Sequence, residues 1–228
     1  MTDVGKYLLC RVTATNPTGS VPAFSNIVGP VTAVSAANGW DPANSSAGFV
    51  LSSGDHTATS SAVGEQGRGI ISRSTGLRYF EITFGPIPFG SFIGLTDATH
   101  TIATASTAPG ITDNAGFTMR DYKQGGMSTG AYYYLLSGAS FINGDIVGMA
   151  CDLGNHLAQF YINGVVAPGS SDLPAPGNAL DWGSAAGPVM YPWGGANGAG
   201  GSPAGLTLNT VGPFALATLP SGYTAWGA

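Results

Sequence analysis

The chain has 228 residues, of which 36 are Gly and 15 are Pro, and residues 95–108 form the longest stretch free of both. Breakers at that density exclude long helices, coiled coils and helical bundles. Charged residues make up 8%, with 7 Lys plus Arg and a net charge of −5, so there is no basic footprint for nucleic acid. The 43% hydrophobic content excludes whole-chain disorder. No apolar run reaches the roughly 20 residues that would cross a bilayer as a helix.

The first periodic segment is residues 6–15. Leu8, Cys10, Val12 and Ala14 alternate with Leu9, Arg11, Thr13 and Thr15, which predicts a half-buried strand. The cluster Asn16-Pro17-Thr18-Gly19-Ser20 predicts a turn, and a second strand is expected through Ala23 to Val28. The strings "CRVTATNPTGS" and "SNIVGPV" resemble the last two strands of an immunoglobulin-like domain of the kind common in phage tail proteins. Only two strands of such a sandwich are expected within residues 1–34. Two strands alone are marginal in water, so residues 1–34 are read as a hairpin that serves as an anchor. It would dock on its own domain or on a neighbour, or be completed by another chain. Met1-Thr2-Asp3-Val4 has neither the basic nor the apolar region of a signal peptide. Export, if any, is expected without a cleaved signal or inside a larger particle.

Strand signals multiply after Trp40. Residues 77–84, Leu-Arg-Tyr-Phe-Glu-Ile-Thr-Phe, place Phe80, Ile82 and Phe84 inward and Glu81 and Thr83 outward. Residues 91–95 predict a second short strand. Residues 145–153 are apolar nearly throughout, as in a strand covered on both faces. Gly154-Asn155 marks a hairpin in which the Asp152 carboxylate takes backbone donors. Residues 157–162 return, and Asn163-Gly164 predicts a type I′ turn. A late strand is expected at residues 206–209 and a closing segment at 214–219. The Gly- and Ser-rich stretches 96–131, 166–189 and 194–204 read as long loops. The run at 194–201 does not follow a strand and open a helix, so it is no phosphate cradle.

Taken in order, "GLRYFEITF", "FIGLTDA", "NGDIVGMACDLGNHLAQFYINGV", "MYPW" and "LTLNTVGPFALATLPSGYTAW" resemble the SPRY family over nearly the whole of residues 40–228. That resemblance implies an all-β fold: a bent antiparallel β-sandwich of the concanavalin-like jelly-roll type, here over residues 35–228. It also implies binding of a peptide or partner protein by loops at one end of the sandwich. Carried over by region, the matching surface is residues 52–69, 96–131 and 166–200. Within it Arg120, Tyr122, Lys123, Tyr132, Trp182 and Trp193 are candidate ligand contacts, because Arg, Tyr and Trp dominate binding hot spots and flat rings stack on sugars. Two bland readings stand beside these. Residues 132–134 also read as an ordinary strand, and Trp193 also reads as core.

Chemistry has little to build on. Glu65 and Glu81 are the two glutamates, the first read in a Gly-rich loop and the second as pointing outward alone. Asp145 and Asp152 bracket one strand at about 23 Å by strand rise, too far to share a sugar. His56, His100 and His156 read as exposed loop histidines, and no Gly-x-Ser-x-Gly elbow supplies a nucleophile. Asp97, Asp113, Asn114 and Asp121 cluster in one loop, either as a cation site or as solvated carboxylates. Cys10 and Cys151 read as separately buried thiols. No catalytic residue, metal or cofactor is expected.

The sequence therefore points to a non-enzymatic structural or attachment protein of a tailed-phage virion. Its partners would be other virion proteins and a host-surface glycan or protein. Alternatives are a capsid or tail decoration protein without a receptor, and a peptide-binding SPRY module. No heptad or repeat selects an oligomeric state, so a homo-oligomer remains open.

Overall fold

A computed structural model describes residues 11–16, 19–24, 38–60, 62–86, 91–102, 116–120, 124–127, 132–134, 141–167, 180–182, 187–196 and 204–228. The chain divides into two compact units, Met1–Ser35 and Ala36–Ala228. In the first, β1 (Arg11–Asn16) pairs antiparallel with β2 (Gly19–Phe24), with Arg11 opposite Phe24 and Asn16 opposite Gly19. The second strand thus starts at the predicted turn, and residues 25–28, read as its continuation, lie outside the described residues. Leu8 and Cys10 lie outside the described residues.

The second unit is a two-sheet sandwich, and no helix forms among the described residues. Its strands are β3 (Trp40–Ser45), β4 (Val50–Ser52), β5 (Thr57–Ser60), β6 (Glu65–Gly69), β7 (Leu77–Phe84), β8 (Phe92–Asp97), β9 (Gly116–Arg120), β10 (Gln124–Met127), β11 (Tyr132–Tyr134), β12 (Ile146–Asp152), β13 (Leu157–Ile162), β14 (Val165–Val166), β15 (Leu180–Asp181), β16 (Met190–Ala196), β17 (Ala204–Asn209) and β18 (Thr224–Ala225). One sheet runs β11-β10-β9-β8-β16-β6-β3, and the larger runs β14-β13-β12-β7-β17-β5-β4 with β15 added to β13 and β18 to β7. Pairing is antiparallel throughout except between β18 and β7. The stretch 96–131, expected as loop, thus contains β9 and β10. The glycine run expected as loop begins inside β16.

The core lies between the sheets. Phe80, Ile82 and Phe84 of β7 face it as expected, together with Val147, Met149 and Cys151 of β12 and Leu206 and Leu208 of β17. Ile93, Leu95, Phe117 and Met190 come from the opposite sheet, and Trp40, Trp182 and Trp226 close the layer. Each large side chain buried here stabilises by about 1.5–3 kcal/mol relative to exposure. Burial holds the Cys151 thiol well above its ordinary range, so it stays protonated.

The outer face of the larger sheet carries a second, smaller apolar layer. Tyr79, Ala150 and Tyr161 are covered by Phe214, Leu216, Leu219 and Tyr223 of the C-terminal segment. This is why residues 145–153 are apolar on both sides. Glu81, expected to project into solvent, lies beneath that segment at 3% exposure. Its carboxylate accepts from the Tyr79 hydroxyl at 2.9 Å and from the backbone N–H groups of Ala215 at 2.9 Å and Leu216 at 3.2 Å. The closing segment 214–219 is thus a cap gripped by Glu81 rather than a strand.

Two hairpins follow their sequence signals. Asp152 Oδ1 accepts from Gly154 N and Asn155 N, both at 3.1 Å, and Oδ2 accepts from Asn155 Nδ2 at 2.7 Å. Asn163 (φ 52°) and Gly164 (φ 78°) take the positive angles of a type I′ turn. The final motif also has a physical basis. Asn209 Oδ1 accepts from Gly212 N at 2.8 Å and its Nδ2 donates to Pro213 O at 2.8 Å, turning the chain so that Phe214 meets Tyr79 edge-on at 5.0 Å. Trp226 re-enters the core, packs on Phe80 at 5.2 Å and donates Nε1–H to Ile71 O at 2.8 Å.

Candidate functional site

The alternation of strands in the smaller sheet decides which residues can meet a ligand. Gly67 and Gly69 of β6 face inward, because a side chain there would meet Phe49 and Leu208 respectively. Gln66 and Arg68 therefore face outward. On β16 the register sets Trp193 opposite Arg68 and Gly195 opposite Gln66, so Tyr191 and Trp193 share that outer face. On β8, Thr96 lies opposite Tyr191 and Phe92 opposite Gly195.

The centre of this face is a fixed polar–aromatic cluster. Gln66 Oε1 accepts from Trp193 Nε1 at 3.1 Å and lies 3.0 Å from His100 Nε2. His100 stands edge-on to the Trp193 ring at 5.9 Å, and Phe92 tilts against the same ring at 6.4 Å. Gln66, Trp193 and His100 are 2%, 1% and 4% exposed, so His100 is a buried structural histidine, not the exposed loop residue expected. His56 and His156 are half-buried: His56 Nδ1 lies 3.2 Å from Leu208 O, and His156 packs edge-on to Trp182 at 5.9 Å.

Beside the cluster, the Arg68 guanidinium lies over the Tyr191 ring, its Cζ 4.5 Å from the centroid. Both side chains are half-buried. Across from Arg68, β3 bulges between Trp40, which pairs with Gly69, and Ser45, which pairs with Gly67. Asp41 ties the bulge to itself: Oδ1 accepts from Ala43 N at 2.9 Å and Oδ2 from Asn44 Nδ2 at 2.7 Å.

The candidate contacts separate on this frame. Trp182 is fully enclosed, tilted against Phe117 at 5.4 Å, and is core. Trp193 points outward from the sheet yet is enclosed with Gln66 and His100. Neither indole presents an open face for stacking, which corrects that expectation. Arg120 sits on β9 opposite Phe92, and Tyr132 on β11 opposite Gly126. Their side chains, like Tyr122 and Lys123 entirely, lie outside what is described. Arg68 was not among the expected contacts, because Gln-Gly-Arg-Gly reads as loop. The available signal was the strict alternation of Gly67 and Gly69 with the larger Gln66 and Arg68.

The carboxylates are engaged singly. Glu65 belongs to β6, not to a loop, and its Oε2 accepts from the Ser46 hydroxyl at 2.5 Å and from Gly48 N at 3.0 Å. Asp97 Oδ1 accepts from Thr99 N at 2.7 Å, and Oδ2 from Gly187 N at 2.6 Å. It therefore gathers two loops by hydrogen bonds. Asp113, Asn114 and Asp121 lie outside the described residues, and among those described no three His, Cys, Asp or Glu side chains cluster as a metal site. At the lateral edge of the sandwich, where β3 passes to β4, an open groove of about 300 Å³ is lined by Pro42, Phe49, Val50, Leu51 and Asp55.

Comparison with solved structures identifies the architecture. The SPRY domain of human HERC1 superposes with a TM-score of 0.54 at 14% identity, covering 75% of this chain and 97% of that domain. This is the SPRY fold. The TRIM65 PSpry domain aligns with a TM-score of 0.51 at 16% identity over 75% of this chain and 90% of its own length. Stonustoxin aligns with a TM-score of 0.51 at 14% identity over the same share, using 26% of its chain. No protein-family model matches the sequence, and no curated protein matches it significantly.

Proposed function

We propose that this chain is a non-enzymatic binding module of a tailed-phage virion, a SPRY-type sandwich that attaches to a host-surface glycan or protein or to neighbouring virion subunits. The observation that carries the binding reading is the state of its buried acids. Glu65, Glu81 and Asp97 each spend their oxygens on hydrogen bonds that hold strands and loops together. Among the described residues their hydrogen-bond partners are hydroxyls and backbone N–H groups, not the second carboxylate at roughly 5 Å that a retaining glycosidase needs. The SPRY architecture supports the same choice, since its sequence resemblance implies recognition of a partner rather than turnover. The virion setting rests on the phage-tail-like strings at residues 10–31 and on a surface poor in charge. In this reading residues 1–34 anchor the sandwich to the particle.

Two measurements test it. Deleting residues 1–34 should abolish incorporation into particles while the remaining sandwich stays folded; normal incorporation would defeat the anchoring role. Saturable binding to host cells or to a glycan array supports attachment, and measurable hydrolysis of a saccharide or ester would overturn the non-enzymatic reading.

A further inference from the structure

We propose that Arg68, lying on the Tyr191 ring at the outer face of the smaller sheet, is the carboxylate-reading group of a site for acidic sugars of the uronate or sialate type. The proposal rests on the attachment reading above and names the ligand class for it.

The first support is an uncompensated charge. The Arg68 side chain makes no hydrogen bond and no ion pair with any described residue, and its Nε is enclosed without an acceptor. Arg73 and Arg78 each find a partner: Arg73 Nε donates to Trp226 O at 2.7 Å, and Arg78, whose Nε is likewise enclosed without an acceptor, donates through Nη1 to the Thr224 hydroxyl at 2.7 Å. Asp41, on the strand beside Arg68, would be the natural counter-ion. It is instead committed to Ala43 and Asn44 within its own bulge. A planar guanidinium left in this way offers a fork of donors that matches a carboxylate two-to-two.

The second support is pre-organisation. Stacking on Tyr191 restrains the plane of the guanidinium. Trp193, opposite Arg68 in register, is locked by Gln66 and His100. The packing beneath and beside the arginine is thus set before a ligand arrives, which lowers the ordering cost of binding.

The third support is selectivity by charge. The chain carries 12 Asp plus Glu against 7 Lys plus Arg. Arg68, without an ion pair among the described residues of a net-negative chain, suits a ligand with one carboxylate per sugar. Nucleic acids and polyacidic peptides, which need a field of cations, are disfavoured by the same net charge.

The test is titration of the full chain with sialyllactose and with tetragalacturonate, each beside its carboxyl-reduced neutral form. One acidic sugar should bind, and reducing its carboxyl should weaken binding about tenfold or more, as expected for loss of a charge-assisted bidentate contact. Arg68→Gln should weaken the acidic form by a similar factor without affecting the neutral form. Arg68→Lys, which keeps the charge but not the fork, should fall between. Equal binding of acidic and reduced sugar, or wild-type binding by a folded Arg68→Gln chain, overturns the inference and leaves glycan attachment standing. Arg68-dependent binding of hexaglutamate in place of any sugar overturns the sugar assignment. Silence towards every saccharide overturns both this inference and the glycan half of the proposed function. The comparison on the wild-type chain decides the matter even if Arg68→Gln fails to fold.

Discussion

The Tyr79 hydroxyl donates to the Glu81 carboxylate at 2.9 Å, two residues along β7, on the face that the C-terminal segment covers. The same carboxylate accepts from the backbone of Ala215 and Leu216, so one side chain fastens a strand to the segment that returns over it. Removing it leaves the buried Tyr79 hydroxyl and two part-buried backbone N–H groups without their acceptor. Glu81→Ala is expected to lower unfolding free energy by about 2 kcal/mol, since an orphaned buried donor costs about 1–3 kcal/mol and a part-buried one less. Glu81→Gln, which keeps an acceptor oxygen, should lose less. Urea unfolding of both variants measures the difference, and equal stability of Glu81→Ala and wild type would refute the latch.

Alkaline pH should weaken the same layer. Burial, then the charge of Glu81, pushes the Tyr79 phenol well above its ordinary value of 10.0. Burial raises Tyr161 as well, and burial with the nearby Cys151 and Asp152 raises Tyr223 to about 12. A raised folded-state pKa means that the folded chain holds more protons than the unfolded chain above the unfolded value. The stabilisation is therefore fully present below about pH 10, the ordinary tyrosine range, and is lost as pH rises through it. Melting temperature should hold up to pH 9.0, where the ordinary cysteine value lies, and then fall. Tyr79→Phe should flatten the fall, and a wild-type melting temperature unchanged to about pH 12 would contradict the prediction.

Gly148 of β12 pairs with Glu81 and lies directly under the Tyr79 phenol, so that a Cβ would overlap the hydroxyl. Gly148→Ala should cost about 1–3 kcal/mol by overpacking. Adding Tyr79→Phe relieves part of the overlap, so the double variant should lose less than the sum of the singles. Strict additivity in a denaturation cycle would show that the two do not compete for space.

Trp182 and Trp193 should report on folding before binding. Trp182→Ala empties a fully enclosed core position and is expected to cost about 3–5 kcal/mol. Trp193→Phe keeps a ring but removes the donor to Gln66, an expected loss of about 1 kcal/mol. Thermal melts of both, taken before any binding assay, check this. A Trp182→Ala chain as stable as wild type would place that indole outside the core.

The strands of the sandwich were legible where period-2 alternation coincides with one buried face. Residues 77–84 and 157–162 match β7 and β13 as read, and the apolar run through 145–153 predicted a doubly covered β12. The turn chemistry of Asp152, Asn155, Asn163 and Gly164 was equally local, because a carboxylate capping two N–H groups and a residue at positive φ depend only on neighbours in sequence. The glycine-rich strands β6 and β10 escaped the reading. Glycine has no side chain to display a period, so a strand whose inner positions must be empty for Phe49 and Leu208 looks like a loop.

What composition and periodicity determined alone is an all-β chain of alternating strands and tight turns, since both are written residue by residue; the resemblance to the SPRY family added the order of the motifs. The tertiary structure decided what each polar residue does. Glu81 alternates outward from the core, yet a segment more than 130 residues later folds over it and turns an apparent surface acid into a buried latch. Arg68 reads as one charge among glycines, and only the pairing of β6 with β16 and with the self-capped bulge of β3 sets it on Tyr191 without a counter-ion among the described residues. Burial and charge compensation depend on contacts between residues distant in sequence, and no local pattern of residues encodes those.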